Sequence, residues 1–476
     1  MLVTTSSQHG WRLNPARLLK PENASLRIYA IGLTGFVLSL LSFWPGFMEY
    51  DSFDQYGQAI GQYPLDDGHP VIMALLWKVL ISIHDGPQLM LLLQLVLYWG
   101  GFIYLAVNSL ARTEHRGLAI SAVVVPFLPF LLNFSGVIWK DTHFALALFW
   151  PSLLLLFAKR SNAMFLGSVL LIYYGIAVRY NGLAAALPVL LLWSYEFSSF
   201  LNFNYQRAVP VLAVCLGLAL FLLSICISNV IVGAEKTGLL NDQLLNEIAF
   251  IGCQTKTDIG MIAYYYDTTI LKVAEQNRPS FLCNQIYSLA MIGDTGDIYE
   301  REVLKHPGYD DEGIKSLWIS NVTSHPLLYL KYRLLVYRTF LRPLSYAEAY
   351  YPFCDGTDKN PFPDRFSAEL LNPLGLTTLL EKYVRLASQR LSIFFRPFFW
   401  LITLVLTCGL SFLKKNVQAE LISASGICYI LGYLPFLPAP DFRYAYWAIF
   451  AQILSGFLLL LRPATTVRED PVTSVP

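Results

Sequence analysis

The chain has 476 residues, of which 55% are hydrophobic and only 14% are charged. Its mean hydropathy of +0.48 corresponds to more apolar surface than a single soluble core can bury. The formal net charge of +1 provides no large basic surface, which argues against a nucleic-acid partner. The composition therefore indicates a polytopic membrane protein.

A polar leader precedes the first apolar segment. Residues 1–26 contain Arg12, Arg17 and Lys20, and an apolar run follows at 27–45. No small-residue cleavage site comes after this run, so we expect it to remain as a transmembrane helix and not to be removed as a signal peptide. The leader is expected to be cytoplasmic because it carries positive charge.

Ten apolar segments are long enough, at roughly twenty residues, to cross the hydrocarbon core of a bilayer. They are 27–45, 88–108, 118–134, 142–158, 163–178, 183–198, 208–233, 392–412, 418–436 and 445–462. The segment 70–83 is shorter and contains Lys78. If it does not span, basic loop residues such as Arg112 and Lys415 lie in the cytoplasm, as the positive-inside rule requires. We therefore expect 70–83 to be an interfacial helix at the outer face, with about ten crossings and both termini inside.

The sequence predicts one long section outside the membrane, between residues 234 and 391. It has charged residues, Pro and Gly at the density of soluble proteins, and it is long enough to bury its own core. The loop charges place it on the outer side as a mostly helical periplasmic insertion. It separates the transmembrane core, 27–233 with a first outer loop at 46–87, from the carboxyl-terminal transmembrane helices, 392–462, and a cytoplasmic tail, 463–476.

Three of the seven cysteines fall in this outer section: Cys253, Cys283 and Cys354. The other four lie in apolar segments. In an oxidising compartment three thiols allow one disulfide, and the sequence alone does not choose the pair.

The first outer loop contains two carboxylates that suit proton transfer. Asp51 and Asp54 are three residues apart, so on a helix they share one face. Two close carboxylates repel each other, so we expect one to have a raised pKa and to act as a general base toward a hydroxyl. His69 follows in the same loop as a supporting residue. A solvated acidic turn and a divalent-cation site for Mg²⁺ or Mn²⁺ are the alternatives at this pair.

Polar residues recur at the outer ends of three later apolar segments. They are Lys140 with Asp141, Arg179 with Asn181, and Asp441 with Arg443 and Tyr444. Arginines on the outer side run against the positive-inside trend, and the planar guanidinium suits phosphate. For the Lys–Asp pair alone, a snorkelling lysine beside a helix cap is the simpler explanation. Together the groups indicate a site for an anionic, phosphorylated ligand beside a carboxylate base.

An aromatic and basic stretch follows His325 and Pro326 in the outer section, with the sequence LeuLeuTyrLeuLysTyrArgLeuLeuValTyrArg. Aromatic faces stack on sugars and cations bind phosphates, so this stretch is a candidate ligand surface. A helix that packs against the membrane surface is the simpler interpretation, and we favour it.

Five motifs resemble those of a known family. They are ProGlyPheMetGluTyrAspSerPheAspGlnTyr at 45–56, GlyHisPro at 68–70, TrpLysAsp at 139–141, ArgTyrAsnGly at 179–182 and AspPheArgTyr at 441–444. Their order and the predicted topology resemble the polytopic bacterial glycosyltransferases of the GT-C fold, and among them the serotype-converting O-antigen glucosyltransferases. At the residue level the resemblance covers only these motifs. The long outer section departs from relatives whose soluble domain is carboxyl-terminal, because three more crossings follow it.

The resemblance implies an all-α fold and transfer of a hexose such as glucose from a polyprenyl-phosphate donor. The acceptor would be a lipid-linked or envelope glycan such as O-antigen of lipopolysaccharide, at the periplasmic face of the bacterial inner membrane. The resemblance gives catalysis, or metal binding, to Asp51 or Asp54. It gives the donor phosphate to Lys140, Arg179 and Arg443, with His69, Asp141, Asn181, Asp441 and Tyr444 in support.

Two other functions fit a similar set of residues. A transporter or flippase of lipid-linked saccharides would also place arginines and carboxylates at helix ends, but carriers usually bind near the bilayer midplane and contain internal repeats. A polymerase or ligase of lipid-linked O-antigen shares an arginine-rich outer site. Because the polar residues here lie at the outer ends of segments and no repeat is present, we favour the glycosyltransferase.

Overall fold

A computed structural model describes residues 23–112, 116–179, 181–202, 208–236, 239–255, 311–345, 359–367, 369, 371–437 and 440–461. Within these ranges the secondary structure is helical, and strand-like pairing is limited to two isolated bridges. The predicted all-α class is therefore confirmed for the described part of the chain. Most of the predicted leader, the stretch 256–310 of the outer section and the tail from 462 lie outside it.

Nine α-helices of nine or more residues form the amino-terminal half of the described chain. They are α1 (Ala24–Phe43), α2 (Tyr50–Ile60), α3 (Val71–Ile81), α4 (Gln88–Arg112), α5 (Arg116–Val124), α6 (Lys140–Phe157), α7 (Asn162–Val178), α8 (Gly182–Phe200) and α9 (Ala208–Cys226). Seven further helices follow: α10 (Leu239–Thr255), α11 (Asp311–Ser324), α12 (Pro326–Leu341), α13 (Leu376–Arg390), α14 (Pro397–Leu413), α15 (Val417–Leu431) and α16 (Tyr446–Leu460). Each apolar segment predicted to span contains one of these helices.

Five helical segments in the described ranges are long and apolar enough to cross a bilayer. They are Ala24–Phe43, Gln88–Arg112, Gly182–Phe200, Ala208–Ile231 and Phe442–Leu460. These segments indicate a helical membrane protein, while the count of ten crossings stays a prediction. Helix α3 has 11 residues and is therefore about 16 Å long, too short to cross a core of about 30 Å.

Helix α6 is the centre of the bundle, and it begins with two residues of the predicted site. It packs against α4, α7, α8 and α16. Nearly all of its side chains are buried, including Asp141 and His143. By contrast, only 28% of the apolar stretch of α9 is buried inside the protein, so α9 presents most of its surface outward. The polar start of α6 is thus held in a fixed position by helices on several sides.

A second, smaller core lies under the first outer loop. Side chains of α2 and α3, such as Tyr56 and Trp77, pack there with Phe362 and Phe366 from the outer section. Tyr56 also donates a hydrogen bond to Asp85. This aromatic cluster fixes α2, which carries both predicted catalytic carboxylates, on the rest of the molecule.

The helices α10, α11 and α12 meet around a buried ion pair. Arg333 donates to Glu247, whose other carboxylate oxygen accepts from Trp318 Nε1 at 2.6 Å. The opposite side of α12 leaves Leu327 and Leu330 exposed. An exposed apolar stripe on a helix with a buried polar side is typical of packing against a membrane surface, which supports the simpler interpretation of this stretch.

Cys253 is disulfide-bonded. Among the other described cysteines, Cys215, Cys226, Cys408 and Cys428 are free. The remaining two cysteines of the outer section, Cys283 and Cys354, lie outside the described residues.

Candidate functional site

The first outer loop begins at a tight turn after α1. Gly46 has a φ of +127°, a backbone conformation that side-chain-bearing residues rarely adopt, and its N–H donates to the carbonyl of Phe43 at 2.7 Å. After Glu49, in extended conformation, α2 starts and Asp51 lies in its first turn. Negative charge is favoured there because the first N–H groups of a helix are unpaired.

Backbone and side-chain hydrogen bonds then join this loop to the start of α6. Phe47 N–H donates to the carbonyl of Gly136 at 3.2 Å, and Ile138 N–H donates to the carbonyl of Phe47 at 3.0 Å. Ser52 Oγ donates to the carbonyl of Ile138 at 2.7 Å. These contacts bring Lys140, two residues farther along, next to the carboxylates of α2.

His69 lies between Lys140 and the two carboxylates. Its Nδ1 is 2.9 Å from Lys140 Nζ. Its Nε2 is 3.7 Å from Asp54 Oδ2 and 3.9 Å from Asp51 Oδ1. Gln58 Nε2 donates to the same Asp54 Oδ2 at 3.0 Å.

Arg443 connects α2, α6 and the turn before α16. Its NH1 is 3.2 Å from Asp51 Oδ2, and its Nε is 3.0 Å from Asp441 Oδ2 and 3.9 Å from Asp141 Oδ2. The guanidinium also lies over the ring of Trp139, 4.7 Å from its centroid. Three carboxylates therefore surround this arginine.

Arg179 forms a buried ion pair at the end of α7. Its NH1 donates to Asp141 Oδ1, and the two side chains are only 6% and 1% exposed. Its Nε donates to Asn181 Oδ1 at 3.3 Å. The guanidinium lies 4.8 Å from the ring centroid of Tyr444 and 5.6 Å from that of Tyr433. Asp141 and the aromatic rings hold this arginine in place.

The charged side chains around Asp51 and His69 determine the protonation state of these two residues. Burial would raise the pKa of Asp51, but Arg443, and after it His69 and Lys140, more than offset burial and hold this pKa below its usual range. Burial and then Lys140 lower the pKa of His69 to about 3, so His69 is neutral at neutral pH. The carboxylate expected to have a raised pKa is therefore not Asp51, because Arg443 contacts it directly.

The structure brings together all the residues predicted for the site, in one network of contacts. We call these residues the polar cluster. They are Asp51, Asp54, His69, Lys140, Asp141, Arg179, Asn181, Asp441, Arg443 and Tyr444. Two aromatic members, Trp139 and Tyr433, were not predicted. Trp139 directly precedes Lys140 in the sequence, and this adjacency is the signal that could have identified it.

Metal binding finds little support in the described part of the chain. No group of three or more His, Cys, Asp and Glu side chains there is arranged to share an ion. Asp51, one of the two carboxylates proposed as metal ligands, faces Arg443 and His69 instead. The Mg²⁺ or Mn²⁺ alternative therefore has no ligand set among these residues.

A small crevice, with a volume of about 10 Å³, lies at Pro70, the residue that follows His69. It is lined by Pro70, Val71, Ile72, Tyr173, Ala177, Ser224, Ile227 and Ser228. These residues come from the start of α3, from α7 and from the outer end of α9, where a π-helical turn (Ile227–Ile231) follows. The three helices therefore meet beside the loop that carries His69.

No family model, no curated protein and no solved structure matches this chain.

Proposed function

We propose that this protein is a membrane glycosyltransferase. It would move a sugar from a polyprenyl-phosphate donor to a hydroxyl of an envelope glycan such as O-antigen, at the periplasmic face of the bacterial inner membrane. The observation that supports this most is the arrangement around His69, with Lys140 on one side and the carboxylates of Asp51 and Asp54 on the other. A base for a hydroxyl and a cation for a leaving phosphate are the two groups that such a transfer needs.

The pairing of charges favours a lipid monophosphate as the donor. Arg179 is paired with Asp141, and Arg443 lies among three carboxylates. Within the described ranges, Lys140 makes no ion pair, and its contact is with the neutral ring of His69. A phosphodiester has one negative charge, which one unpaired ammonium can balance. The diphosphate-linked substrates of a polymerase or ligase have more charge than this cation balances.

The reaction would be a direct displacement at the anomeric carbon. Asp51 is a weak base, because Arg443 holds its pKa low, so we assign proton abstraction to Asp54. The deprotonated acceptor oxygen attacks the anomeric carbon while the bond from that carbon to the phosphate oxygen breaks. Lys140 stabilises the charge of the departing polyprenyl phosphate. A single step inverts the configuration of the sugar.

Two further features support a lipid-linked substrate at the outer face. The little-buried surface of α9 lies near the loop of His69, because Pro70 and Ser228 line one crevice, and a lipid chain would lie along this surface. The disulfide at Cys253 is typical of an oxidising compartment, which supports a periplasmic location for the outer section.

Donor consumption by purified protein in detergent tests the proposal, with polyprenyl-phosphate hexose and an O-antigen acceptor supplied. We expect Asp54→Asn to lower turnover by roughly a hundredfold or more, the usual size of a general-base contribution, and Asp51→Asn to lower it less. Asp364→Asn, at an exposed carboxylate of the outer section, is the matched control and should retain wild-type turnover.

Two outcomes would overturn this assignment. Wild-type turnover in both Asp51→Asn and Asp54→Asn would show that the carboxylates are structural. A wild type that consumes no donor when the acceptor is present would favour the transporter or flippase, because a carrier needs a membrane across which to move its substrate.

A further inference from the structure

The contact with Lys140 assigns the tautomer of His69. A protonated Lys140 can only donate hydrogen bonds, so the Nδ1 that lies 2.9 Å from its Nζ is the acceptor. The ring hydrogen is then on Nε2. Nε2 is 3.7 Å from Asp54 and 3.9 Å from Asp51, which is just beyond hydrogen-bond length.

The loop around His69 is held by its own backbone contacts. Asp66 Oδ1 accepts from the N–H of Gly68 at 2.9 Å and from that of His69 at 3.4 Å. Glu235, after α9, exchanges backbone hydrogen bonds with this loop, since its N–H donates to Leu65 at 2.8 Å and its carbonyl accepts from Asp67 at 2.9 Å. The imidazole therefore has a defined position before any ligand binds.

Asp54 is approached at one oxygen by two donors. Gln58 Nε2 donates to Oδ2 at 3.0 Å, and His69 Nε2 faces the same atom. The hydrogen bond from Gln58 restricts the rotamer of Asp54, and a small movement of the imidazole toward the same oxygen would add a second hydrogen bond. The orientation of the base thus depends on His69.

We propose that His69 couples Lys140 to the carboxylate pair. When Lys140 holds the anionic group of the ligand, it fixes the position of the imidazole. The Nε2–H of that ring then orients Asp54 for proton abstraction. This inference rests on the proposed function. His69 is a positioning residue in this scheme and does not itself gain or lose a proton. Binding of the lipid phosphate at Lys140 would therefore orient the carboxylate of Asp54, which lies on the other side of the imidazole ring.

Two amide replacements separate the two nitrogens of His69. His69→Gln can place an amide N–H near the position of Nε2, whereas His69→Asn can place its amide oxygen near Nδ1 and loses the donor to Asp54. We expect His69→Asn to lower kcat by roughly tenfold or more with little change in donor KM. His69→Gln should retain most of kcat. The matched control is His84→Gln, at an exposed histidine beyond α3, which should behave as wild type.

A second measurement detects the coupling without turnover, so that failure of this inference is distinguishable from failure of the proposed function. Carbodiimide modification of Asp54, followed by peptide mass spectrometry, is compared with and without polyprenyl phosphate. We expect the lipid to change the rate at Asp54 by severalfold in the wild type and not in His69→Asn or Lys140→Gln. Equal responses of wild type and both variants would overturn the coupling, as would wild-type kcat in His69→Asn.

If the lipid changes the modification rate of Asp54 in the wild type but no sugar is transferred, the coupling through His69 stands and the glycosyltransferase proposal is wrong. Melting temperatures of the variants control for folding. If His69→Asn and His69→Gln lower kcat equally, the inference is also overturned, because the two ring nitrogens then have no separate roles.

Discussion

Lys140 makes no direct ion pair in the described part of the chain, and this distinguishes it from the two arginines. The carboxylates of Asp51 and Asp54 act on its charge from a greater distance. If it holds the donor phosphate, Lys140→Gln should raise the donor KM by roughly tenfold or more, while Lys140→Arg retains part of the affinity because the charge remains. Steady-state kinetics with the lipid-linked donor measure this. Lys359→Gln, at an exposed lysine of the outer section, should leave KM unchanged, and an equal KM for Lys140→Gln and wild type would contradict the assignment.

His69 gives the folded protein a specific sensitivity to acid. Burial and Lys140 lower its pKa to about 3 from the ordinary 6.5. Below pH 6.5 the unfolded chain therefore binds a proton that the folded protein does not, and the free energy of unfolding falls as the pH decreases toward 3. His69→Gln cannot titrate and should lose that part of the acid sensitivity. Melting temperatures in detergent between about pH 7.5 and 4.5 measure the difference, and parallel curves would contradict it.

The residue types at the outer ends of the apolar segments were enough to predict which side chains lie in one site. They did not predict which of these side chains form ion pairs with each other. Asp51, Lys140 and Arg443 were recognised because charge is costly near a membrane and is kept there for function. Their pairing depends on the rotation of each helix about its axis, which hydropathy does not specify. For that reason Arg179 was expected to bind phosphate, whereas the structure pairs it with Asp141.

At the scale of elements, the ion pair of Arg179 and Asp141 fastens the end of α7 to the start of α6. Both side chains are almost fully buried, so removing one leaves the other as an unpaired buried charge, which costs about 3–5 kcal/mol. We expect Asp141→Asn to lower the free energy of unfolding by an amount in this range. The double variant Asp141→Leu with Arg179→Met should recover much of the loss, because neither charge of this pair remains.

Denaturation in detergent measures these losses. The exposed pair of Glu381 and Arg385 on α13 provides the control, since Glu381→Gln should cost less than about 1 kcal/mol. If Asp141→Asn is as stable as this control, the pair does not fasten the two helices. Activity measured on folded Arg179→Met with Asp141→Leu then shows whether Arg179 also contacts the donor.

The positions of the helices along the chain were largely predictable from the sequence. The contacts between the first outer loop and the distant outer section were not. Apolar length predicted where the helices lie, and the short run at 70–83 with Lys78 corresponds to the 11-residue helix α3. That α3 lies at the interface stays a prediction. Nothing in the sequence indicated that Phe362 and Phe366 would pack on Tyr56 of α2. Aromatic residues in a turn-rich stretch are common, and their partners are set by the three-dimensional path of the chain.

For the whole molecule, the polar cluster lies where the two halves of the sequence meet. The first outer loop, the start of α6 and the end of α7 come from the first half, and Arg443 comes from the turn before α16. A site assembled from such distant segments exists only when the whole bundle has formed. Its side of the membrane is therefore a property of the complete topology and not of one loop.

Accessibility of single cysteines to a membrane-impermeant thiol reagent tests that topology in spheroplasts, in a chain whose free cysteines are replaced. Cysteines at the exposed positions Gln62 and Asp364 should react from outside, because both lie on the side of the polar cluster. Cysteines at Lys159 and Lys414, which are also exposed, should react only after the membrane is permeabilised. Reaction of the Lys159 position in intact spheroplasts would place the loop after α6 outside, and the start of α6 with Lys140 would then face the cytoplasm. A lipid-phosphate donor presented in the periplasm would no longer reach this cluster.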